Sequence, residues 1–168
     1  MAFQVGILTA SDKGFAGERE DRSGPLIAQI MKGNGYEVIR QTIVPDEQEL
    51  LAAEMIAMCD AGADLILTTG GTGFSKRDVT PEATRQVIER EAAGITNAIL
   101  YASLQITPKA MLSRATAGIR GKTLIINLPG SPKAVSEALD IIIQPLEHGL
   151  SIMLGLDSEC AEKLPAGS

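Results

Sequence analysis

The sequence predicts an α/β fold of three layers (αβα), in which helices cover both faces of a mostly parallel central sheet. Short apolar segments rich in β-branched residues alternate with segments whose apolar residues recur at helical spacing. The apolar segments end in stretches rich in Gly, Ser, Thr, Asp or Pro. With 168 residues, of which 45% are hydrophobic, the chain has the length of a single domain and enough apolar side chains for a core.

The first strand is predicted at residues 3–10, FQVGILTA, which are apolar and rich in residues that favour strands. A polar loop of residues 11–23 follows it. Apolar residues at helical spacing predict a first helix after Gly24, and the sequence GNG at residues 33–35 ends it. Residues 36–44 are predicted to form the second strand.

The second helix is predicted to begin at Asp46, because an Asp followed three residues later by Glu49 is typical of a capping box. In that interpretation the Asp46 side chain caps the helix and needs no other role. The helix is predicted to end near Ala61, and Asp64–Thr69 is predicted to form the third strand.

The next helix is predicted to begin with Thr80 as its N-cap and Pro81 at its first position. A further apolar strand, Leu124–Leu128, precedes the last predicted helix, which Ser131 and Pro132 open in the same way. Because strand, loop and helix alternate, the predicted sheet is open and mostly parallel. Its ligands are expected beyond the carboxyl ends of the strands.

The charge of the chain argues against nucleic acid as a partner. A net charge of −6 and a sequence pI near 4.8 have the wrong sign for a protein whose affinity comes from nucleic-acid phosphates. Aromatic residues make up 3% of the chain and Trp is absent, so platforms for base stacking are not expected either. A small polyanion is still compatible, because single loops can concentrate cations and backbone N–H groups on an acidic surface.

The cysteines and the histidine form no recognisable pattern. Cys59 and Cys160 are far apart in the sequence, and His148, the only histidine, is interpreted as a structural or surface residue. We therefore predict neither a disulfide framework nor a zinc site.

The first residues lack a signal-peptide pattern, and no stretch approaches the roughly 18 apolar residues that a membrane helix needs. These features predict a cytoplasmic protein without a membrane partner.

Three of the predicted strands end at Ala10, Thr69 and Leu128, and each is followed by a loop of small and polar residues. A doubly wound sheet brings such loops to one edge, so one composite site is predicted there. The loop after the third strand consists of Gly70, Gly71, Thr72 and Gly73. Its glycines allow the backbone to approach a ligand and to direct N–H groups towards an anion. We expect a Cβ at Gly71 to block this approach, with a smaller effect on folding.

The glycine loop matches neither the Walker A nor the Rossmann motif. Lys76 is followed by Arg77 instead of Ser or Thr, and no Gly occupies the last position of a G-x-G-x-x-G pattern. A loop that serves only the backbone turn is therefore an alternative.

Lys76, Arg77 and Asp78 favour a functional site, because two cations and a carboxylate can hold phosphate and a divalent ion. Asp46 and Asp78 would suffice for Mg²⁺, which proteins often bind through one or two carboxylates and substrate phosphates.

A second group of candidate residues follows later in the chain. Ser113, Arg114 and residues 127–132 add hydroxyl groups, a guanidinium suited to phosphate contacts and another helix N-terminus. An ordinary loop remains an alternative for each of these segments.

Two long segments resemble a known family. Residues 69–85, TGGTGFSKRDVTPEATR, and residues 113–135, SRATAGIRGKTLIINLPGSPKAV, closely resemble the Mog-type molybdopterin adenylyltransferases of the MoaB/Mog family. The resemblance includes SD at residues 11–12, EDRSG at 20–24 and VPDE at 44–47, and it covers roughly residues 3–150. It implies a single molybdopterin-binding domain at residues 1–163. Residues 164–168 are expected to form a loose C-terminal tail.

The resemblance implies an enzyme of molybdenum cofactor biosynthesis, built as a homotrimer of three-layer α/β subunits. Such an enzyme uses ATP and Mg²⁺ to attach AMP to the terminal phosphate of molybdopterin, and pyrophosphate is the other product. Asp46 and Asp78 would be the catalytic aspartates and would organise the Mg²⁺. The substrate-binding residues implied by the matching segments are Ser11, Asp12, Gly70, Gly71, Thr72, Gly73, Arg77, Thr80, Ser113, Arg114, Pro129, Gly130 and Ser131.

The residues agree with this chemistry, because attack of one phosphate on another requires positioning and charge neutralisation but no protein nucleophile. A partner enzyme that inserts molybdate is expected, and the absence of the long partner domains of fused eukaryotic forms favours a stand-alone enzyme.

One alternative is a MoaB-like sister protein, in which the R-D-V-T motif can be altered; here residues 77–80 keep it. The other is a non-catalytic trimeric scaffold that binds pterin. Turnover with ATP would separate the enzyme from the scaffold.

Overall fold

Six strands form one sheet in the computed structural model, which describes residues 2–156. The strands are β1 (Gln4–Ala10), β2 (Glu37–Val44), β3 (Leu65–Thr69), β4 (Arg90–Glu91), β5 (Ala117–Arg120) and β6 (Thr123–Leu128). They lie in the order β2-β1-β3-β6-β5-β4. The first four in this order pair in parallel, whereas β5 pairs antiparallel with both β6 and β4. The predicted, mostly parallel sheet is confirmed.

The helices of residues 2–156 cover both faces of this sheet. They are α1 (Asp12–Phe15), α2 (Ser23–Gly33), α3 (Gln48–Asp60), α4 (Thr80–Val87), α5 (Ala93–Leu104), α6 (Pro132–Met153) and a 3₁₀ helix at Pro108–Leu112. Buried residues of α2, α5 and α6 form one core with the sheet, and those of α3 and α4 form a second core. The structure therefore has the three layers that the sequence predicts.

Alternation of side chains along the central strands produces the two cores. In β1, Val5 and Ile7 lie in the core of α2, α5 and α6, whereas Leu8 lies in the core of α3 and α4. Gly6 faces the second core, where a Cβ would come within 2.7 Å of the Met58 sulfur. Strands that are apolar on both faces are typical of a parallel sheet covered by helices.

Asp46 does not cap α3, and this prediction is wrong. The residue before the helix is Glu47, and no side chain caps the first turn. Glu49 accepts a hydrogen bond from Gln86 (3.1 Å) instead of closing a capping box. Asp46 accepts a hydrogen bond from the backbone N–H of Asp12 (2.9 Å). Its side chain is therefore turned towards the loop after β1.

The beginning of α4 also differs from the prediction, whereas α6 begins as predicted. Thr80 lies within the first turn of α4, and the capping position is Val79, which provides no side-chain hydrogen bond. At α6, the Ser131 hydroxyl accepts a hydrogen bond from the N–H of Ala134 (3.2 Å), and Pro132 follows it. The Ser131 hydroxyl is thus used as a helix cap.

No helix within residues 2–156 combines the length and the apolar character that crossing a membrane requires. Cys160 and the predicted tail, residues 164–168, lie outside the described residues. The domain boundary at residue 163 therefore stays a prediction.

Candidate active site

A cleft of about 600 Å³ opens at the carboxyl ends of the parallel strands. The loops after β1, β2, β3 and β6 all contribute to its walls. We call it the carboxylate cleft, because Asp21, Asp46 and Asp78 line it. Its volume is suited to a small ligand, and its position at this edge of the sheet is the one predicted from the sequence.

The predicted site residues fall into three groups. Those that line the carboxylate cleft are Ser11, Asp46, Gly70, Gly71, Asp78 and Gly130. Those that line a second pocket, of about 320 Å³, are Thr72, Ser113, Pro129 and again Gly130. Those that line neither space are Asp12, Gly73, Arg77, Thr80, Arg114 and Ser131. The composite site is therefore divided into two adjoining spaces that share Gly130.

Gly70 and Gly71 form the turn after β3 with φ values of +87° and +70°, which side chains other than that of glycine rarely allow. A Cβ on Gly70 would collide with the carbonyl oxygen of Ala10, and one on Gly71 would collide with the Thr80 hydroxyl. The turn itself therefore requires both glycines. The structure therefore argues against the small effect on folding expected for a side chain at Gly71, whereas the effect on ligand binding stays a prediction.

Thr80 holds the glycine loop in place through two hydrogen bonds. The residue is fully buried, its hydroxyl donates a hydrogen bond to the Gly70 carbonyl (2.9 Å), and its N–H donates one to the Gly71 carbonyl (3.1 Å). The predicted substrate contact of Thr80 is corrected to a contact with the loop, because a buried side chain that is already hydrogen-bonded does not face the cleft.

Asp46 presents one carboxylate oxygen to the cleft. Its Oδ2 accepts the hydrogen bond from Asp12, and its Oδ1 lies 3.2 Å from the position that a Cβ on Gly71 would occupy. Burial raises the pKa of the Asp46 carboxyl group, and the negative charges of Asp12 and Asp78 also raise it. A cation beside Asp46 would relieve this unfavourable charge.

Asp78 is fixed by a tight turn before α4. Its Oδ2 accepts a hydrogen bond from the N–H of Ser75 (2.9 Å), and its own N–H donates to the Ser75 carbonyl (3.0 Å). The same Oδ2 lies 2.9 Å from the position of a Cβ on Gly73. A side chain at Gly73 would therefore displace this carboxylate.

Asp12 and Arg77 form an ion pair beside the cleft. The Arg77 guanidinium donates through Nε to Oδ2 (2.9 Å) and through Nη2 to Oδ1 (2.8 Å) of Asp12. The hydrogen bond from Arg77 is the main cause that lowers the pKa of the Asp12 carboxyl group. Both side chains, predicted to bind substrate, are thus engaged with each other.

Arg114 supports the glycine loop instead of lining either space. Its Nε donates to the Gly73 carbonyl (2.8 Å), its Nη2 to the Asp78 carbonyl (2.6 Å) and its Nη1 to the Glu82 carboxylate (2.6 Å). The backbone N–H of Arg114 donates to the Thr72 carbonyl (2.9 Å). All three guanidinium nitrogens thus bind protein groups, and the phosphate contact of Arg114 stays a prediction.

Asp21 is a cleft residue that the sequence reasoning did not single out. Its Oδ2 accepts a hydrogen bond from the Thr9 hydroxyl (2.7 Å), and its Oδ1 accepts from the N–H groups of Ser23 (3.1 Å) and Gly24 (3.0 Å). The Ser23 hydroxyl in turn donates to the Gly130 carbonyl (2.7 Å). Asp21 therefore links the start of α2 to β1, and Ser23 links it to the loop after β6. The resembling segment EDRSG contained it, but nothing in the segment indicated these partners.

The second pocket lies between α5, the 3₁₀ helix and the start of α6. Its apolar wall contains Ile99, Leu100 and Ile106, and its polar groups include Asn97, Ser103, Thr107, Lys109 and Glu137. An apolar wall with a few polar side chains is typical of a pocket for a small ring system. This pocket could not be expected from the sequence, since no element was predicted between residues 90 and 112.

Within residues 2–156, no group of three or more His, Cys, Asp or Glu side chains is placed to hold a metal ion. A divalent ion in the carboxylate cleft would therefore need ligands from its substrate as well as from Asp46 and Asp78. Mg²⁺ is commonly bound in this way, with one or two carboxylates, phosphate oxygens and water. The donor set of the cleft fits such an ion.

We expect Asp46→Asn to stabilise the protein at about pH 7 in the absence of ligands. Burial raises the pKa of Asp46 in the folded state above 3.8, the ordinary value of an aspartate carboxyl group. The ionised carboxylate therefore destabilises the folded protein at neutral pH, and this destabilisation disappears as the pH falls below about 3.8. Thermal unfolding of both proteins should show a higher Tm for the variant at about pH 7 and a smaller difference at about pH 4. Asp12→Asn is the matched control with the opposite sign, because the pKa of Asp12 is lowered. A variant of Asp46 with a lower Tm at neutral pH would contradict the assignment of an unfavourable charge.

The chain is similar to known proteins over most of its length. The family model described as "Probable molybdopterin binding domain" matches residues 6–148. A molybdopterin adenylyltransferase of Helicobacter pylori is 40% identical over 163 residues, which cover 95% of this chain and 92% of that protein. Gephyrin of Dictyostelium discoideum is 43% identical over 89% of this chain, which spans 22% of gephyrin.

A solved structure of the molybdopterin biosynthesis enzyme MoaB from Thermus thermophilus has a TM-score of 0.86 and 47% sequence identity. The match covers 91% of this chain and 97% of that one. The similarity thus extends over nearly the whole fold. Sequence and fold together show that this chain belongs to the family of molybdopterin-binding domains of the MoaB/Mog type.

Proposed function

We propose that this chain is a molybdopterin adenylyltransferase of molybdenum cofactor biosynthesis. It transfers AMP from ATP to the terminal phosphate of molybdopterin and releases pyrophosphate. The observation that carries this proposal is the arrangement of Asp46 and Asp78 on neighbouring loops of a glycine-rich cleft. The relative from Helicobacter pylori that bears this enzyme name supports it over 95% of the chain.

The reaction needs no nucleophile from the protein. An oxygen of the terminal molybdopterin phosphate forms a bond to the α-phosphorus of ATP, and the bond from that phosphorus to the pyrophosphate oxygen breaks. Mg²⁺ held by Asp46 and Asp78 would neutralise phosphate charge during this exchange. The chain must also hold the molybdopterin phosphate and the ATP phosphates in the orientation that the reaction requires. A site built from loop backbone and fixed carboxylates agrees with this requirement.

Arg19 and Arg22 are the cations that we propose for the nucleotide phosphates. Both line the carboxylate cleft. Arg22 makes only a long ion pair with Glu20 (3.6 Å), in which both side chains are more than three-quarters exposed. An ion pair of this kind breaks easily when a phosphate competes for the arginine.

We propose that the ATP phosphates occupy the carboxylate cleft and that the pterin ring occupies the second pocket. The carboxylates and cations that suit a metal-bound triphosphate line the first space, whereas the second has an apolar wall with amide, hydroxyl and carboxylate groups. Gly130, which both spaces share, would then lie near the reacting phosphates. Ser113 lines the second pocket and is the proposed contact for the substrate that carries the pterin.

The enzyme is distinguished from a pterin-binding scaffold by turnover. Purified chain, molybdopterin, ATP and Mg²⁺ should yield adenylylated molybdopterin in an amount that exceeds the protein present. Binding of both ligands without any product would contradict the proposed function and favour the scaffold. The intact motif at residues 77–80 supports catalysis.

A homotrimer is proposed as the working form. Helix α5 is apolar on most of its surface, yet Ile99 is its only buried residue. Exposed apolar side chains of α5 and the following segment are Tyr101, Leu104, Ile106, Met111 and Leu112. A surface of this kind on a soluble domain favours contact with another protein surface, and the resemblance to the MoaB/Mog family supports three copies.

We expect sedimentation equilibrium at micromolar concentration to give the mass of three chains. Tyr101→Glu should produce monomers, because it places a charge in the proposed interface. Leu50→Glu is the matched control: Leu50 is 46% exposed on α3, away from this surface. A monomeric wild-type protein, or a monomeric Leu50→Glu variant beside a trimeric Tyr101→Glu variant, would contradict the proposed interface.

A cytoplasmic location and transfer of the product to a separate molybdate-inserting enzyme complete the proposal. The resemblance to the family supports both, and co-purification of such an enzyme with the chain would test the second.

A further inference from the structure

We infer that Asp12 and Arg77 are positioning residues for the proposed reaction: their ion pair joins three loops of the cleft and fixes the Asp46 carboxylate, and neither side chain binds substrate. This inference rests on the proposed function. It differs from the prediction of substrate contacts for both residues, and it assigns them one shared role.

Asp12 and Asp46 hold each other through two reciprocal hydrogen bonds. The N–H of Asp12 donates to Oδ2 of Asp46 (2.9 Å), and the N–H of Asp46 donates to Oδ1 of Asp12 (3.0 Å). The adjacent N–H of Ser11 donates to the carbonyl of Val44, the last residue of β2 (3.0 Å). The loops after β1 and β2 are thus joined at three points, and rotation of the Asp46 side chain would break one of them.

Arg77 brings the loop after β3 into the same cluster. Its two donors meet the two oxygens of Asp12, so that Oδ1 of Asp12 accepts from both Asp46 and Arg77. A bidentate pair of this geometry fixes the plane of the carboxylate. The next residue along the chain is Asp78, the second carboxylate proposed to hold Mg²⁺. The pair therefore sets the position of the Asp46 loop relative to the Asp78 loop.

Direct phosphate binding by Arg77 would require this pair to open. Neither Arg77 nor Asp12 lines the carboxylate cleft, whereas Arg19 and Arg22 do. The loop that carries Arg77 is also held by Arg114, through the carbonyls of Gly73 and Asp78. The charge of Arg77 is therefore directed at Asp12, while cations inside the cleft are available for phosphate.

The pair is half exposed, with side-chain exposures of 56% for Arg77 and 41% for Asp12. Exposed ion pairs contribute little to folding. A variant that loses the pair should therefore remain folded and show its defect in the reaction. This expectation separates a positioning role from a merely structural one.

The test is a double-mutant cycle with Asp12→Asn, Arg77→Gln and the double variant. Each single variant should lower kcat by about 10- to 100-fold, because displacement of a catalytic group by about 1 Å has effects of this size. The KM for ATP should stay within about twofold of the wild-type value, and the double variant should be no slower than the slower single variant. Arg85→Gln is the matched control, since Arg85 is 51% exposed, pairs with Glu82 and lies outside both spaces.

Two results would overturn the inference. If Arg77→Gln raises the KM for ATP and its effect multiplies with that of Asp12→Asn, Arg77 binds substrate independently of Asp12. If both single variants keep the wild-type kcat, the pair has no role in the reaction. Arg19→Gln provides the contrast within the cleft, because loss of a phosphate contact should raise the KM for ATP.

Mg²⁺ binding can be measured without turnover, so the positioning role can be tested even if the chain makes no adenylylated product. Calorimetric titration of the chain saturated with ATP should show that Mg²⁺ binds at least about tenfold more weakly to each variant than to the wild type. The double variant should again equal the weaker single variant. Absence of product from wild-type chain would contradict the proposed function alone, whereas unchanged Mg²⁺ affinity in the variants would overturn the positioning role alone.

Discussion

Asp78→Asn is expected to lower kcat for adenylylation by about 10²- to 10³-fold, the usual size of the loss when one group that stabilises transition-state charge is removed. The variant keeps the shape of the side chain, and its amide oxygen can still accept the hydrogen bond from Ser75. Folding should therefore be retained. Binding of molybdopterin should also be retained, because Asp78 lines the carboxylate cleft and not the second pocket.

Asp46→Asn is expected to show a loss of the same order, about 10²-fold or more, because it removes the other carboxylate proposed to hold Mg²⁺. Asp140→Asn is the matched control for both variants, since Asp140 is exposed on α6 and lines neither space. Steady-state kinetics and equilibrium binding of molybdopterin should be measured on the same preparations. Unchanged turnover in either cleft variant would remove that aspartate from the catalytic machinery.

Gly71→Ala is expected to reduce the stability of the protein by about 2–5 kcal/mol, because a positive φ and a collision with Thr80 act together. Activity should be lost with it, since the collision displaces the loop that precedes Asp78. The comparison is Gly121→Ala: Gly121 also has a positive φ, +55°, but nothing lies within 4 Å of its Cβ position. That variant should lose only about 1–2 kcal/mol and remain active.

Chemical denaturation gives the two free energies, and the difference between the variants measures the collision alone. If Gly71→Ala is as stable as Gly121→Ala but binds ligand poorly, the backbone at Gly71 faces the ligand. That result would confirm the expectation from the sequence that a Cβ at Gly71 affects binding more than folding.

The fold could be predicted from the sequence because its central elements have strong local patterns. The apolar strands 4–10, 65–69 and 123–128 are buried on both faces, and α2, α4 and α6 have amphipathic spacing. Helix α5 was missed because its apolar residues surround the helix and leave no amphipathic period. Strands β4 and β5, of two and four residues, are too short to give a period at all.

Two of the cleft carboxylates, Asp46 and Asp78, were also identified from the sequence, but Asp21 and the partners of all three were not. Asp46 with Glu49 has the spacing of a capping box, and only the contact of Asp46 with Asp12, 34 residues earlier, shows that the side chain serves the cleft instead. Arg77 and Asp12 are 65 residues apart, and local sequence does not reveal such a pair. For Arg114, the residue type suggested phosphate binding, whereas the folded chain directs it to backbone carbonyls.

The fate of the α-phosphate of ATP tests the central proposal most directly. The chain should be incubated with molybdopterin, Mg²⁺ and ATP labelled at either the α- or the γ-phosphate, with Asp78→Asn in parallel. Adenylyl transfer predicts that the α-label appears in the pterin product and the γ-label in pyrophosphate, both much more slowly with the variant. Appearance of the γ-label in the pterin, or no label in the pterin from either ATP, would contradict the assignment of this chain as a molybdopterin adenylyltransferase.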